Sequence, residues 1–139
     1  QQTIVKAKSI LNVLKSKYML GIVSNFYGNL DVVCKEFGLD DIFDAMVDSA
    51  VVGIKKPDPA IFGFALKKLG VQAPEAFVVG DSYERDMVPG KALGCRTIWL
   101  KGKSWKVPQS IEAADYTIGR FEELSNILSQ TGIQNEISR

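Results

Sequence analysis

Five residues have the types and spacing to handle a phosphate group: Ser24, Asn25, Lys56, Asp81 and Asp86. Together they offer a hydroxyl, amides, one ammonium and two carboxylates. Backbone amides and a hydroxyl at a helix start can hold phosphoryl oxygens. A lysine neutralises charge that develops on them. Carboxylates are oxygen ligands suited to a hard divalent cation such as magnesium. Each residue also has an ordinary reading. Ser24 and Asn25 can be a strand-end turn, Lys56 a solvated neighbour of Lys55, and Asp81 and Asp86 favourable charges at the start of a helix. Their conjunction favours the chemical reading, because all of them fall at strand ends.

The elements that place them alternate. Ile4, Ala7, Leu11, Leu14 and Tyr18 recur at helical spacing, with Lys6, Lys8, Lys15 and Lys17 between them. The apolar run Met19-Leu20-Gly21-Ile22-Val23 then stops at Ser24. It is too short for a helix and too uniformly apolar for a half-exposed strand, so a strand buried on both faces is expected. A helix over about 29–37 ends at Gly38, and a strand follows at about 45–49. The turn 52–59 contains Lys56, and Asp58 followed by Pro59 opens a helix that ends at Gly70. Ala76 to Gly80 reads as a second buried strand, ending at Asp81. A short helix at 88–93, a strand at 97–100, a polar loop at 101–114, a short strand at 116–118 and a helix at 120–129 complete the pattern. Residues 131–139 read as a flexible tail. Strand–helix alternation with apolar strands predicts an α/β, three-layer, Rossmann-like parallel sheet with helices on both faces. In such a sheet ligands bind outside the carboxyl ends of the strands, where all five residues fall.

Composition narrows the chemistry further. The 139 residues carry 17 Lys and Arg against 16 Asp and Glu, a net charge of +1. That balance gives no reason to expect nucleic-acid or membrane-surface binding. No apolar run approaches the ~18 residues of a membrane span. There is no histidine, which excludes a Ser-His-Asp triad, a Cys-His pair and imidazole metal ligands. Cys34 and Cys95 form no CxxC and read as reduced, half-buried thiols, consistent with a reducing, cytoplasmic setting. The basic loop Lys101 to Lys106 reads as solvated, with Trp105 partly tucked against the sheet.

The strand-end segments resemble three motifs of the haloacid dehalogenase (HAD) superfamily. Leu20-Gly21-Ile22-Val23-Ser24-Asn25 is similar to its second motif, an apolar strand ending in Ser or Thr. Gly53-Ile54-Lys55-Lys56-Pro57-Asp58-Pro59-Ala60-Ile61-Phe62 is similar to the third, a lysine before Pro and a helix. Val78-Val79-Gly80-Asp81-Ser82-Tyr83-Glu84-Arg85-Asp86 is similar to the fourth, Gly-Asp with a second acid five residues on. The resemblance runs over roughly 1–130, taken as a partial HAD-like core domain. It implies that Ser24 and the Asn25 amide hold the phosphoryl group. It implies that Lys56 pairs with the phosphoryl oxygens and the nucleophile, that Asp81 coordinates Mg2+, and that Asp86 ligates the ion or orients its water. It also implies a phosphohydrolase working through an aspartyl-phosphate intermediate on a small phosphorylated metabolite.

The family's first motif, an Asp-x-Asp pair after an apolar strand, has no counterpart. Asp40, Asp41, Asp44 and Asp48 have the wrong order and surroundings. The chain therefore resembles the C-terminal part of a longer enzyme, with the nucleophile outside it, and is expected to be inactive alone. The family's central strand would be absent too. The strands ending at Ser24 and Asp81 are then expected either to close on each other or to receive a strand from another chain, a homo-oligomer or a missing N-terminal segment. Two other readings stay open: a non-catalytic HAD-like binding module or inactive fragment, and a haloacid dehalogenase. The dehalogenase is disfavoured because it has less need of an acid pair. A receiver-type domain is disfavoured because the first strand ends in Ser-Asn, and a dinucleotide-binding fold because no GxGxxG follows a strand.

Overall fold

In the computed structural model, which describes residues 2–101, 110–131 and 135–138, the chain builds one parallel six-stranded sheet in the order β2-β1-β6-β3-β4-β5. The elements run α1 (Gln2–Lys15), β1 (Met19–Ser24), α2 (Leu30–Glu36), β2 (Ala45–Asp48), α3 (Ser49–Val52), α4 (Ala60–Leu69), β3 (Ala76–Gly80), α5 (Val88–Leu93), β4 (Arg96–Leu100), β5 (Tyr116–Ile118), α6 (Leu124–Thr131) and β6 (Asn135–Ser138). Short 3-10 turns precede β3 and α6, and a wide π-type turn, Tyr83–Met87, leads into α5.

The layers follow from the alternation of side chains along β3. Phe77 and Val79 join Leu11 and Leu14 of α1 and Leu124 and Leu128 of α6 on one face. Ala76 and Val78 join Ile61, Phe62, Ala65 and Leu69 of α4 on the other. All five residues of β3 are buried, as a parallel strand covered on both sides requires. Gly90 of α5 lets that helix lie close on the sheet: a Cβ there would stand 3.0 Å from Val78 Cγ2. Gly70 closes α4 in the left-handed region at φ 71°, a conformation glycine adopts without strain.

Most expected elements are found within a residue or two. The helix expected from about 120 begins as a 3-10 turn, Phe121–Glu123, before α6. The cap position of α4 falls on Pro59, one residue later than expected, with the Asp58 carboxylate just before it accepting the Ala60 N–H at 3.0 Å. The loop reading for Gly102 to Lys106, including Trp105, lies outside the described residues. Among the described residues no helix is long and apolar enough to cross a membrane.

Two expectations about the sheet are corrected. Residues 135–138 are a strand instead of a flexible tail. The strands β1 and β3 do not pair with each other; β6 of the same chain lies between them. It is parallel to both, with Asn135 to Ser138 opposite Met19 to Ile22 on one side and Ala76 to Val79 on the other. The physical reason is the demand for partners. The facing edges of β1 and β3 carry rows of backbone N–H and C=O groups in an apolar setting, where unpaired groups are costly. An extended segment of almost any composition can satisfy them.

Candidate phosphate and metal site

At the carboxyl edge of the sheet an open cleft of about 210 Å³ is lined by Ser24, Asn25, Lys56, Asp81, Ser82, Arg85 and Asp86. All five sequence-selected residues are brought together here. Three loops deliver them. Ser24 ends β1 and Asn25 follows it. Lys56 lies in the turn between α3 and α4. Asp81 follows β3, and Asp86 lies on the turn Tyr83–Met87.

The choice of Lys56 over Lys55 is decided by burial. Lys55 is exposed, whereas Lys56 is only 7 % exposed and lines the cleft. Its ammonium donates to Asp86 Oδ1 at 2.7 Å and lies 5.6 Å from the centre of the Phe62 ring. Its backbone is held as well: the Lys56 N–H donates to Asn25 Oδ1 at 2.8 Å, and Asn25 Nδ2 donates to the Lys56 carbonyl at 3.2 Å. Asn25 thus ties the loop after β1 to the lysine turn with a reciprocal amide pair, a role the sequence reading did not assign to its side chain.

Asp86 is 1 % exposed. Its second oxygen accepts the Ser82 N–H at 3.2 Å. Gly80 makes this placement possible, since a Cβ there would stand 2.3–2.5 Å from Asp86 side-chain atoms. Ser82 in turn caps the following turn, its Oγ accepting the Arg85 N–H at 3.1 Å. Asp81 is exposed at the cleft. Its carbonyl accepts the Trp99 indole N–H at 3.2 Å, and Trp99 packs edge-on against Tyr83 at 5.4 Å between ring centres. The aromatic pair thereby fixes the backbone from which the Asp81 carboxylate projects.

Three residues with work to do at this edge were missed. Ser82 and Arg85 fell inside the quoted motif without a role, although Ser82 has the type of a helix cap. Asp48 was rejected as part of an Asp-x-Asp pair. It is 5 % exposed, and its carboxylate accepts the N–H groups of Gly28 at 2.8 Å, Leu30 at 3.1 Å and Ala50 at 3.0 Å. It organises the loop that follows Ser24 and Asn25, and its position at the end of β2 was the available signal. Asp44, by contrast, sits at the opposite edge. It accepts the Leu20 N–H at 2.9 Å near the start of β1 and pairs with Lys15 at 3.0 Å.

The two thiols stand apart from the cleft chemistry. Burial pushes the Cys95 thiol up to about 11. Burial, with Asp31 and Asp40 nearby, also raises Cys34.

Comparison with known proteins agrees with this geometry. The profile of the haloacid dehalogenase-like hydrolases matches residues 2–100. The chain is 35 % identical over 124 residues to the pyrimidine 5'-nucleotidase YjjG of Escherichia coli, covering 88 % of this chain and 55 % of that protein. It is 35 % identical over 136 residues to a glyceraldehyde 3-phosphate phosphatase of Pyrococcus furiosus, covering 94 % of this chain and 56 % of the other. It spans about half the length of these relatives. Among solved structures, a HAD phosphatase from Thermococcus onnurineus superimposes with a TM-score of 0.80 at 32 % identity, over 91 % of this chain and 57 % of the other. The profile match over most of the chain and the shared architecture place it in one family: this chain belongs to the haloacid dehalogenase-like hydrolases.

Proposed function

We propose that this chain carries the phosphate-binding and cation-binding portion of a magnesium-dependent phosphohydrolase acting on a small phosphate ester. The observation that carries the reading is the Lys56 ammonium. It is held at the cleft wall by Asp86 at 2.7 Å, with Ser24, Asn25 and Asp81 lining the same 210 Å³. A buried lysine locked to a buried carboxylate gives a fixed positive charge in a site of reduced dielectric, where it acts strongly on an anion.

The donor set suits magnesium of one particular kind. Among the described residues no group of three or more carboxylates or thiols could hold a metal ion. Both Asp86 oxygens already accept hydrogen bonds, from Lys56 and from the Ser82 N–H. Asp81 is therefore the direct ligand and Asp86 orients a water. This fits Mg2+, which keeps several waters and is held by one or two carboxylates plus substrate phosphate. When bound, the ion neutralises charge on the phosphoryl oxygens. Ser24 donates its hydroxyl to a phosphoryl oxygen, and Lys56 pairs with the same group.

The attacking aspartate, which would form an aspartyl-phosphate, belongs to a segment outside these 139 residues. Two facts support this. The sequence contains no Asp-x-Asp. The ladder of β6 also ends with Ser138 opposite Ile22 and Val79, below the level of Ser24 and Asp81. A strand carrying the nucleophile to that level would take the place that β6 holds. The substrates in the relatives' names are a pyrimidine nucleotide and glyceraldehyde 3-phosphate. They support a small organic phosphate as the substrate class.

The test is turnover by the purified chain with MgCl2 and p-nitrophenyl phosphate. No phosphate release is expected. Release that is abolished in a Lys56→Ala variant would contradict the assignment of the nucleophile to another segment.

A further inference from the structure

The two cleft acids are held in different ways. Asp86 is fixed through its own carboxylate oxygens, by Lys56 and the Ser82 N–H. Asp81, the direct ligand proposed for magnesium, is anchored through its main chain. The ladder between β3 and β4 ends with Gly80 opposite Trp99. Asp81 is the first residue past it, and its carbonyl there accepts a side-chain donor, the Trp99 indole N–H, at 3.2 Å. Trp99 is 2 % exposed, so its N–H depends on a protein acceptor. The ring is itself braced. Tyr83 stands edge-on to it at 5.4 Å between ring centres, and the Tyr83 hydroxyl accepts the Ala113 N–H at 3.0 Å. Ala113 is tied back to β4, its carbonyl accepting the Thr97 hydroxyl. The clamp is therefore closed: β4 supplies Trp99 and Thr97, the loop after β3 supplies Asp81 and Tyr83, and Ala113 joins the two.

We infer that Trp99, which lies in none of the three motif segments, is a positioning residue for the cation site: it sets the magnesium affinity of the cleft through the Asp81 main chain. The inference rests on the cation reading of Asp81 and deepens it. An indole N–H is a donor only, so Trp99 is no ligand. Its effect is pre-organisation. With the Asp81 carbonyl pinned, the carboxylate has only its own side-chain torsions left to order when an ion binds. The phosphate end of the cleft is held by other contacts, the Asn25–Lys56 amide pair and the Lys56–Asp86 ion pair. Trp99 should therefore tune the cation and not the anion.

The experiment is NMR of the 15N-labelled chain titrated with MgCl2 at constant ionic strength. The sequence has two tryptophans, and a Trp105→Phe spectrum tells their indole signals apart. In the unaltered chain the Asp81 amide and the Trp99 indole N–H are expected to shift with a common midpoint. Trp99→Phe keeps a ring and removes the donor. It is expected to raise that midpoint about tenfold, as loss of a group that orients a metal ligand does. Its affinity for inorganic phosphate without magnesium is expected to change less than about twofold. Equal weakening of magnesium and phosphate would make Trp99 a general prop of the cleft and overturn the inference, and so would an unchanged midpoint. If Trp99→Phe does not fold, the unaltered chain decides: a Trp99 indole signal that stays still while the Asp81 amide titrates overturns the inference, and a common midpoint supports it. Absence of any saturable shift at Asp81 in the unaltered chain would overturn the cation reading itself, and the inference with it.

Discussion

Two Lys–Asp pairs of similar length do opposite jobs in this molecule. Lys91 and Asp115 meet at 2.5 Å with side chains 44 % and 27 % exposed, while Lys56 and Asp86 meet at 2.7 Å with side chains 6 % and 2 % exposed. The first pair fastens the strand β4 region to α5: Asp115 also accepts the Thr97 N–H at 2.9 Å. Water screens it, so its length says little about its worth. The second pair is cut off from water, and each charge there depends on the other. The difference teaches that burial, more than distance, separates the two pairs. The fold fixes a charge in a dry wall by covering Lys56 and Asp86 while leaving Asp81 and Arg85 open.

The comparison breaks most visibly at Asp86. Asp86→Ala removes the carboxylate that holds the buried Lys56 ammonium at 2.7 Å and is expected to lower unfolding stability by about 3–5 kcal/mol in urea denaturation. Replacing both residues, Lys56→Met with Asp86→Leu, is expected to recover much of that loss, since it removes both charges together. No recovery in the double variant would mean that the pair contributes through packing alone. Next in size is Gly80→Ala. The new Cβ would meet Asp86 within 2.5 Å, and a loss of about 1–3 kcal/mol is expected, as for overpacking in a closed site. A stability equal to that of the unaltered chain would show that Asp86 can swing away at no cost.

The open pair should respond least. Burial works against the charge on Asp115, but hydrogen bonds from Lys91 and Thr97 outweigh it and hold the carboxyl below its ordinary value. A carboxyl lowered on folding adds stability above its unfolded pKa and loses it as pH falls through the folded value. Asp115→Asn is therefore expected to cost under about 1 kcal/mol at pH 7. It should also flatten the fall in stability below about pH 4. An equally steep acid limb in the variant would assign that limb to other carboxylates.

Much of this organisation is legible in the sequence because the physics is local. Met19 to Val23 and Ala76 to Gly80 are apolar runs that only a doubly covered strand can use, and the polar residue ending each run marks the carboxyl edge of the sheet. Lys56 is set apart from Lys55 in the sequence by directly preceding Pro57, and the fold agrees, burying one and leaving the other in water. Asp48 is marked in the sequence only by its place at the end of β2, because its three backbone partners lie on segments that meet only after β1 and β2 pair. The strand Asn135-Glu136-Ile137-Ser138 is unreadable for a different reason. Nothing in its composition favours an internal strand; its place is set by the unmet backbone groups of β1 and β3. Arg85 lay inside a quoted motif, but its lack of an ionic partner among the described residues is a property of the folded neighbourhood.

The central claim is that the cleft between the ends of β1 and β3 is a phosphate site organised by Lys56. It is tested most directly by amide NMR of the 15N-labelled chain during titration with inorganic phosphate and MgCl2. The account predicts saturable shifts concentrated at Ser24, Asn25, Lys56, Asp81 and Ser82, and their loss in Lys56→Met. Shifts confined to other surfaces, or a response that Lys56→Met leaves intact, would contradict it.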